Sequence, residues 1–134
     1  MKTTYFILTL MFISFISCNE EPIPDSFSFG VENEFKINGD YHSIDNSLKF
    51  TITEVNDSRC PSDVVCIWAG KVDVKIKVES PVPGTITLST YDNPVDTVGN
   101  YSFKITDVSP YPISTKTIKL EDYVVLLKIE KLIN

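Results

Sequence analysis

The chain has 134 residues and a net charge of −6, with 18 acidic against 12 basic side chains. This length allows one domain, and the part after residue 17 can bury roughly two thirds of its unfolded surface in a single core. The acidic balance disfavours binding of nucleic acid or anionic lipid through the protein surface.

The first 17 residues have the pattern of an export signal. Residues 1–4 carry the positive charge of Lys2, and residues 5–16 are almost unbroken hydrophobicity. A transmembrane helix needs about 20 apolar residues, so this shorter stretch suits the apolar core of a signal peptide instead. We therefore assign residues 1–17 to a signal peptide.

Ser17 and Cys18 stand directly after the apolar stretch. They resemble the end of the lipobox of bacterial lipoproteins, although Phe15 replaces the Leu usual in that family. The resemblance implies that Cys18 becomes the acylated N-terminus and that the acyl chains hold the protein at a membrane. Glu20 and Glu21 resemble a surface-export signal, which implies the outer membrane and its outer face. The alternative is an ordinary secretory signal followed by an incidental Cys.

The cysteine count agrees with that interpretation. Cys18, Cys60 and Cys66 are the three cysteines, and an odd number in an exported protein leaves one unpaired. Lipidation accounts for Cys18, and Cys60 can form a disulfide with Cys66 in the oxidising envelope. Residues 18–26 contain two prolines and three acids within residues 19–25, so we expect a flexible tether there and a β domain over residues 27–134.

Hydrophobic periodicity beyond the tether is two, as in strands. The four branched apolar residues of 72–78 alternate with charged ones, and a second alternation over 85–90 follows a Pro- and Gly-containing break. This pattern predicts a hairpin. We expect an edge strand here, whose solvent-exposed face carries Lys71, Lys75 and Lys77. Their charge would protect the edge from pairing with another chain.

Other strands are predicted from similar patterns. Asn38-Gly39 predicts a two-residue hairpin turn between strands at residues 35–37 and from Tyr41 onward. Apolar residues at alternate positions predict strands over 48–52 and 101–105. Residues 123–131 predict a central strand, because the first residues of this segment are apolar on both faces. Residues 115–121 allow one helical turn at most.

Six to eight short strands predict an all-β fold. We expect a single antiparallel β-sandwich, with an immunoglobulin-like arrangement or an open barrel as alternatives.

Residues 57–70, Asp-Ser-Arg-Cys-Pro-Ser-Asp-Val-Val-Cys-Ile-Trp-Ala-Gly, are the least generic stretch. A Cys60–Cys66 disulfide would close a seven-residue ring, and Pro61 would stiffen it. Trp68 lies two residues after Cys66, so we expect both on one sheet face, with the Trp packed beside the disulfide in the core. The loop would then be a structural cross-link.

The alternative is an exposed recognition loop of protease-inhibitor type, whose rigidity would lower the entropy cost of binding. The candidate contact residues are Asp57, Arg59, Pro61, Ser62, Asp63 and Trp68. A zinc site would need more ligands than two cysteines and the single His42. A redox pair usually has two residues between its cysteines, whereas this pair has five.

The segment resembles one found in small bacterial lipoproteins and exported proteins, in which Asp-Ser-Arg-Cys-Pro leads to Cys-x-Trp-Ala-Gly. Residues 108–112 and 122–123 resemble the C-terminal part of the same group, so the resemblance spans residues 35–131. It implies an envelope location and a shared fold, and it brings no assigned activity.

Chemistry-bearing groups are sparse elsewhere. Residues 92–96 offer Asp and Asn oxygens to Ca²⁺, but turn formation explains them equally well. Tyr91, Tyr101 and Tyr111 could form a sugar platform or simply pack. We therefore expect no enzyme, cofactor or metal. The expected function is a non-catalytic module that binds an envelope protein or glycan, and the alternative is a protease inhibitor acting through residues 57–66.

Overall fold

Two β-sheets packed face to face make up the fold in the computed structural model, which describes residues 23–133. The strands in chain order are β1 (Ser26–Phe27), β2 (Glu32–Lys36), β3 (Asp40–Ser43), β4 (Lys49–Asp57), β5 (Val72–Ser80), β6 (Gly84–Ser89), β7 (Val95–Val98), β8 (Tyr101–Ser109) and β9 (Val124–Lys131). A five-stranded sheet has the order β1-β3-β4-β5-β6, and a four-stranded sheet has the order β2-β9-β8-β7. The predicted all-β sandwich is confirmed.

Strand pairing is antiparallel except for the short parallel pair of β1 with β3. The strand order differs from that of the immunoglobulin fold, whose two sheets are ABED and CFG. A single 3₁₀ turn at Leu120–Asp122 lies in the segment where one turn was allowed. Within residues 23–133, no helix has the length and apolar character needed to cross a bilayer.

The β5–β6 hairpin forms as the alternation predicts. The apolar residues of β5 are at most 1% exposed, and Ile76 of β5 pairs with Ile86 of β6. The expectation of an edge strand is wrong, because β5 lies between β4 and β6. Its charged face is outward as expected, and there Lys75 pairs with Glu54 of β4 while Lys71 pairs with Asp92.

The turn at Asn38-Gly39 exists, but the predicted hairpin is wrong. It carries the chain from one sheet to the other, because β2 pairs with β9 whereas β3 pairs with β4. Packing in the core explains this crossing, because the ring centroids of Phe35 and Tyr41 lie 4.8 Å apart. The Tyr41 hydroxyl accepts a hydrogen bond from the Lys36 amide at 2.7 Å and so links β2 to β3 at the corner.

Aromatic rings fill the space between the sheets. Phe50 of β4 is fully buried, and four ring centroids lie within 5.7 Å of its own, those of Phe27, Phe35, Tyr41 and Phe103. The predicted central position of the last strand is confirmed, since β9 lies between β2 and β8.

The assigned signal peptide and Cys18 lie outside the described residues. The first described residues already contact the sandwich. Ile23 packs against the core, and the Asp25 carbonyl accepts a hydrogen bond from the His42 amide at 2.9 Å.

Candidate functional site: the loop between β4 and β5

Residues 58–71 form a loop that projects beyond both sheets. Its base continues the β4–β5 ladder, because the Ser58 amide donates to the Lys71 carbonyl and the Cys60 amide donates to the Ala69 carbonyl, both at 2.8 Å. Cys60 and Cys66 are joined by a disulfide with a Cα separation of 5.9 Å. The predicted disulfide is therefore confirmed, and it closes the outer part of the loop into a ring.

Loss of this disulfide is expected to destabilise the protein modestly. For a seven-residue ring, the loop-entropy relation gives about 2.4 kcal/mol of stabilisation. We expect the double substitution Cys60→Ser and Cys66→Ser to lower the free energy of unfolding by that amount in urea titrations. Wild-type protein treated with reductant serves as the matched control and should behave like the variant. Equal stability of variant and oxidised wild type would contradict the expectation.

Trp68 is not a core residue, and the expected packing beside the disulfide in the core is wrong. Its side chain is 81% exposed. The reason is that β4 ends at Asp57 and β5 begins at Val72, so Trp68 lies on no sheet face. Val65 and Ile67 are 101% and 95% exposed. We call the exposed side chains of Val65, Ile67 and Trp68 the apolar tip.

Arg59 ties the base of this loop to the second sheet. Its guanidinium forms an ion pair with Asp57 at 2.6 Å, and the two side chains are only 8% and 4% exposed. The same guanidinium donates to the Val108 carbonyl at 2.7 Å and to the Pro110 carbonyl at 2.9 Å, and it lies 4.5 Å from the centroid of the Tyr111 ring. Arg59 is therefore unavailable as the exposed specificity residue that an inhibitor loop would need.

The Asp57 carboxylate remains ionised within this network. Its burial raises its pKa, but the hydrogen bonds and positive charge of Arg59, with a hydrogen bond from the Tyr123 hydroxyl, outweigh burial and hold the pKa below its usual range. Burial also raises the pKa of Tyr123, and the Asp57 charge adds to the effect. The phenol thus remains a hydrogen-bond donor to the carboxylate.

Ser62 and Asp63 hold the opposite side of the ring. The Ser62 amide donates to the Pro112 carbonyl at 3.0 Å, and Asp63 accepts hydrogen bonds from both the amide and the hydroxyl of Ser114. These bonds lower the pKa of Asp63, the hydroxyl bond most. Pro61, directly before these two residues, is half-buried. The candidate contact residues thus divide: most position the loop, and Trp68 faces outward.

Sequence reasoning missed Val65 and Ile67 as surface residues. Tyr91, in the connection after β6, is 79% exposed and shares a shallow depression of about 350 Å³ with Trp68 and Gly70. The available signal was the nearly uncharged run from Cys60 to Gly70, in which Asp63 is the only charged side chain.

Gly70 allows the loop to close on its own base. Its φ is +72°, and a Cβ there would collide with the backbone carbonyl of Ser58. Gly30 has a similar φ of +79° with open space around it. An alanine at Gly30 would therefore cost only the backbone strain of a positive φ, about 1 to 2 kcal/mol.

We expect Gly70→Ala to destabilise the protein more than Gly30→Ala does, because only the former displaces backbone. Urea unfolding of the two variants measures the difference. Equal losses would mean that the close approach at Ser58 contributes nothing.

The remaining candidates do not form a second site. Tyr101 is only 4% exposed, so it cannot form a surface platform with Tyr91 and Tyr111. Asp92 forms an ion pair with Lys71 at 2.6 Å. Across residues 23–133, no group of three or more His, Cys, Asp or Glu side chains is placed to hold a metal ion.

Chemically, the loop offers apolar surface on a fixed support. Asp57 at the end of β4 and Arg59 and Asp63 within the loop hold its shape, and Lys71 is paired with Asp92. No protein-family model, curated protein or solved structure matches the chain.

Proposed function

We propose that the chain is an exported lipoprotein of the bacterial cell envelope, anchored through Cys18, and that its sandwich domain is a non-catalytic binding module. The signal-like residues 1–17 and the Ser17-Cys18 junction support the anchor. The apolar tip supports the binding role. Large apolar side chains exposed together are typical of interaction sites.

The support beneath the tip favours the same function. A disulfide, the Arg59 network and the Asp63 bonds to Ser114 hold the loop in one conformation. A preorganised loop loses little conformational entropy when a partner binds. An exposed Trp on such a loop is the residue type that most often contributes strongly to binding.

The composition of the tip favours an apolar partner surface. Val65 and Ile67 offer only hydrocarbon, whereas a glycan presents hydroxyl groups that must keep hydrogen bonds when they leave water. Of the two partner classes expected from the sequence, an envelope protein therefore fits better than a glycan. The buried Arg59 gives no support to the inhibitor alternative.

Two linked measurements test this function. Metabolic labelling with an alkyne fatty acid should label the wild-type chain and not Cys18→Ala. A photoreactive residue at position 65 should capture envelope components in intact cells only when the anchor is present. The double variant Ile67→Ser and Trp68→Ser should remain labelled and lose the capture. An unlabelled wild type would contradict the anchor, and capture that is independent of the tip would contradict the binding surface.

A further inference from the structure

We propose that the apolar tip docks on the lipid bilayer that holds the anchor, with Ile67 and Trp68 inserted into the interfacial region. This inference goes beyond the protein partner proposed above and rests on the proposed lipid anchor at Cys18. It assigns the apolar partner surface to the membrane itself.

The loop and the first described residue, Ile23, both lie near the end of β8, although the chain then runs beside His42, which pairs with Lys49 at the start of β4. The loop leaves β4 at Asp57, and Arg59 bonds to carbonyls at the end of β8. Ile23, the first described residue, lines a depression together with Ser109 and Pro110 at that same end of β8. We call this end of the sandwich the loop end.

The length of chain before Ile23 limits how the domain can face the membrane. Five residue steps separate Cys18 from Ile23, and a fully extended chain spans at most about 3.3 to 3.6 Å per residue, or about 16 to 18 Å. The nine-residue strands make the sandwich about 30 Å long. A chain of this length keeps Ile23 within about 18 Å of the bilayer, and the nearby loop end can therefore reach it.

The chemistry of the tip suits a bilayer and needs no basic residues. Asp63, the only charge between Cys60 and Gly70, is bonded to Ser114, and Lys71 is neutralised by Asp92. The indole of Trp68 combines a large apolar ring with one hydrogen-bond donor, which favours the interfacial region. Docking by apolar contact is also compatible with the acidic net charge, and it should be insensitive to salt.

Trp68 is the only tryptophan of the chain, so its fluorescence reports the tip directly. The full-length lipidated protein, purified from membranes, is reconstituted into phosphatidylcholine vesicles with plain or brominated acyl chains. We expect a blue-shifted emission that brominated chains quench, unchanged at high salt. Val65→Ser with Ile67→Ser should lose most of the quenching. Val82→Ser, in the β5–β6 turn at the opposite end, is the matched control and should retain it.

The outcomes separate the docking from the anchor. If the protein floats with the vesicles but Trp68 emits as in water and is not quenched, the docking is wrong and the anchor stands. If the wild-type protein does not float with the vesicles, both are wrong. If a photoreactive residue at position 67 captures one protein in preference to lipid in intact cells, the tip is a protein-docking surface and the bilayer is not its partner.

Discussion

Replacing Arg59 with Ala is expected to lower the free energy of unfolding by about 3 to 5 kcal/mol. The substitution leaves the Asp57 carboxylate buried without its cation, and it removes the hydrogen bonds to the carbonyls of Val108 and Pro110. Urea unfolding at neutral pH measures the loss. Because the same side chain fixes the loop, we also expect faster amide hydrogen exchange at Ser62 and Cys60.

A surface ion pair gives the matched control for this prediction. Lys49 pairs with Glu79 at 3.1 Å, with side chains 48% and 35% exposed, and removing such a pair costs at most about 1 kcal/mol. Lys49→Ala should therefore have a small effect. A comparable loss in the two variants would contradict a special contribution of the Arg59 network.

The same network predicts a sensitivity to acid. The folded pKa of Asp57 is below its usual value, so the pair contributes stability above the unfolded pKa of about 4 and loses it as pH falls through the folded pKa. Unfolding free energy measured from neutral pH down to acid should fall more steeply for the wild type than for Asp57→Asn. Parallel curves would contradict this assignment.

Replacing Phe50 with Ala is expected to cost about 3 to 5 kcal/mol as well, by cavity formation at the centre of the core. Phe50 is fully buried, and its ring lies 5.1 Å from that of Phe35 and 5.5 Å from that of Phe103. It therefore joins the two sheets. Urea or thermal unfolding measures the loss.

Two further variants serve as controls for this prediction. Phe50→Leu retains most of the volume and should cost clearly less than Phe50→Ala. Val95→Ala, at a position 43% exposed, should change stability by no more than about 0.5 kcal/mol. If Phe50→Ala were as mild as Val95→Ala, the aromatic cluster would not be the centre of the core.

Local sequence patterns predicted where the strands lie better than they predicted which strands pair with each other. The alternation at residues 72–78 depends only on which side chains face the core, so it identified β5 directly. Whether β5 lies at an edge depends on β4 and β6 together, and charge on one face does not decide it. Likewise Asn38-Gly39 specifies a tight turn, but the pairing of Phe35 with β9 rather than β3 is decided by packing across the core.

The disulfide loop shows why the site was harder to predict. Cys60 and Cys66 were paired correctly, because assigning Cys18 to lipidation leaves only these two cysteines. The exposure of Trp68 follows instead from where β4 and β5 end. The role of Arg59 depends on carbonyls 49 and 51 residues away, which no pattern near Arg59 indicates.

The position of β9 has a consequence for how the chain acquires its fold during synthesis. β2, at residues 32–36, pairs with β9, at residues 124–131. β9, one of the two inner strands of the four-stranded sheet, is thus synthesised after the other strands of the domain, and Phe35 has no completed sheet until β9 emerges. Contacts of such long sequence separation also slow folding. The nascent domain therefore cannot complete its native fold until β9 has been synthesised.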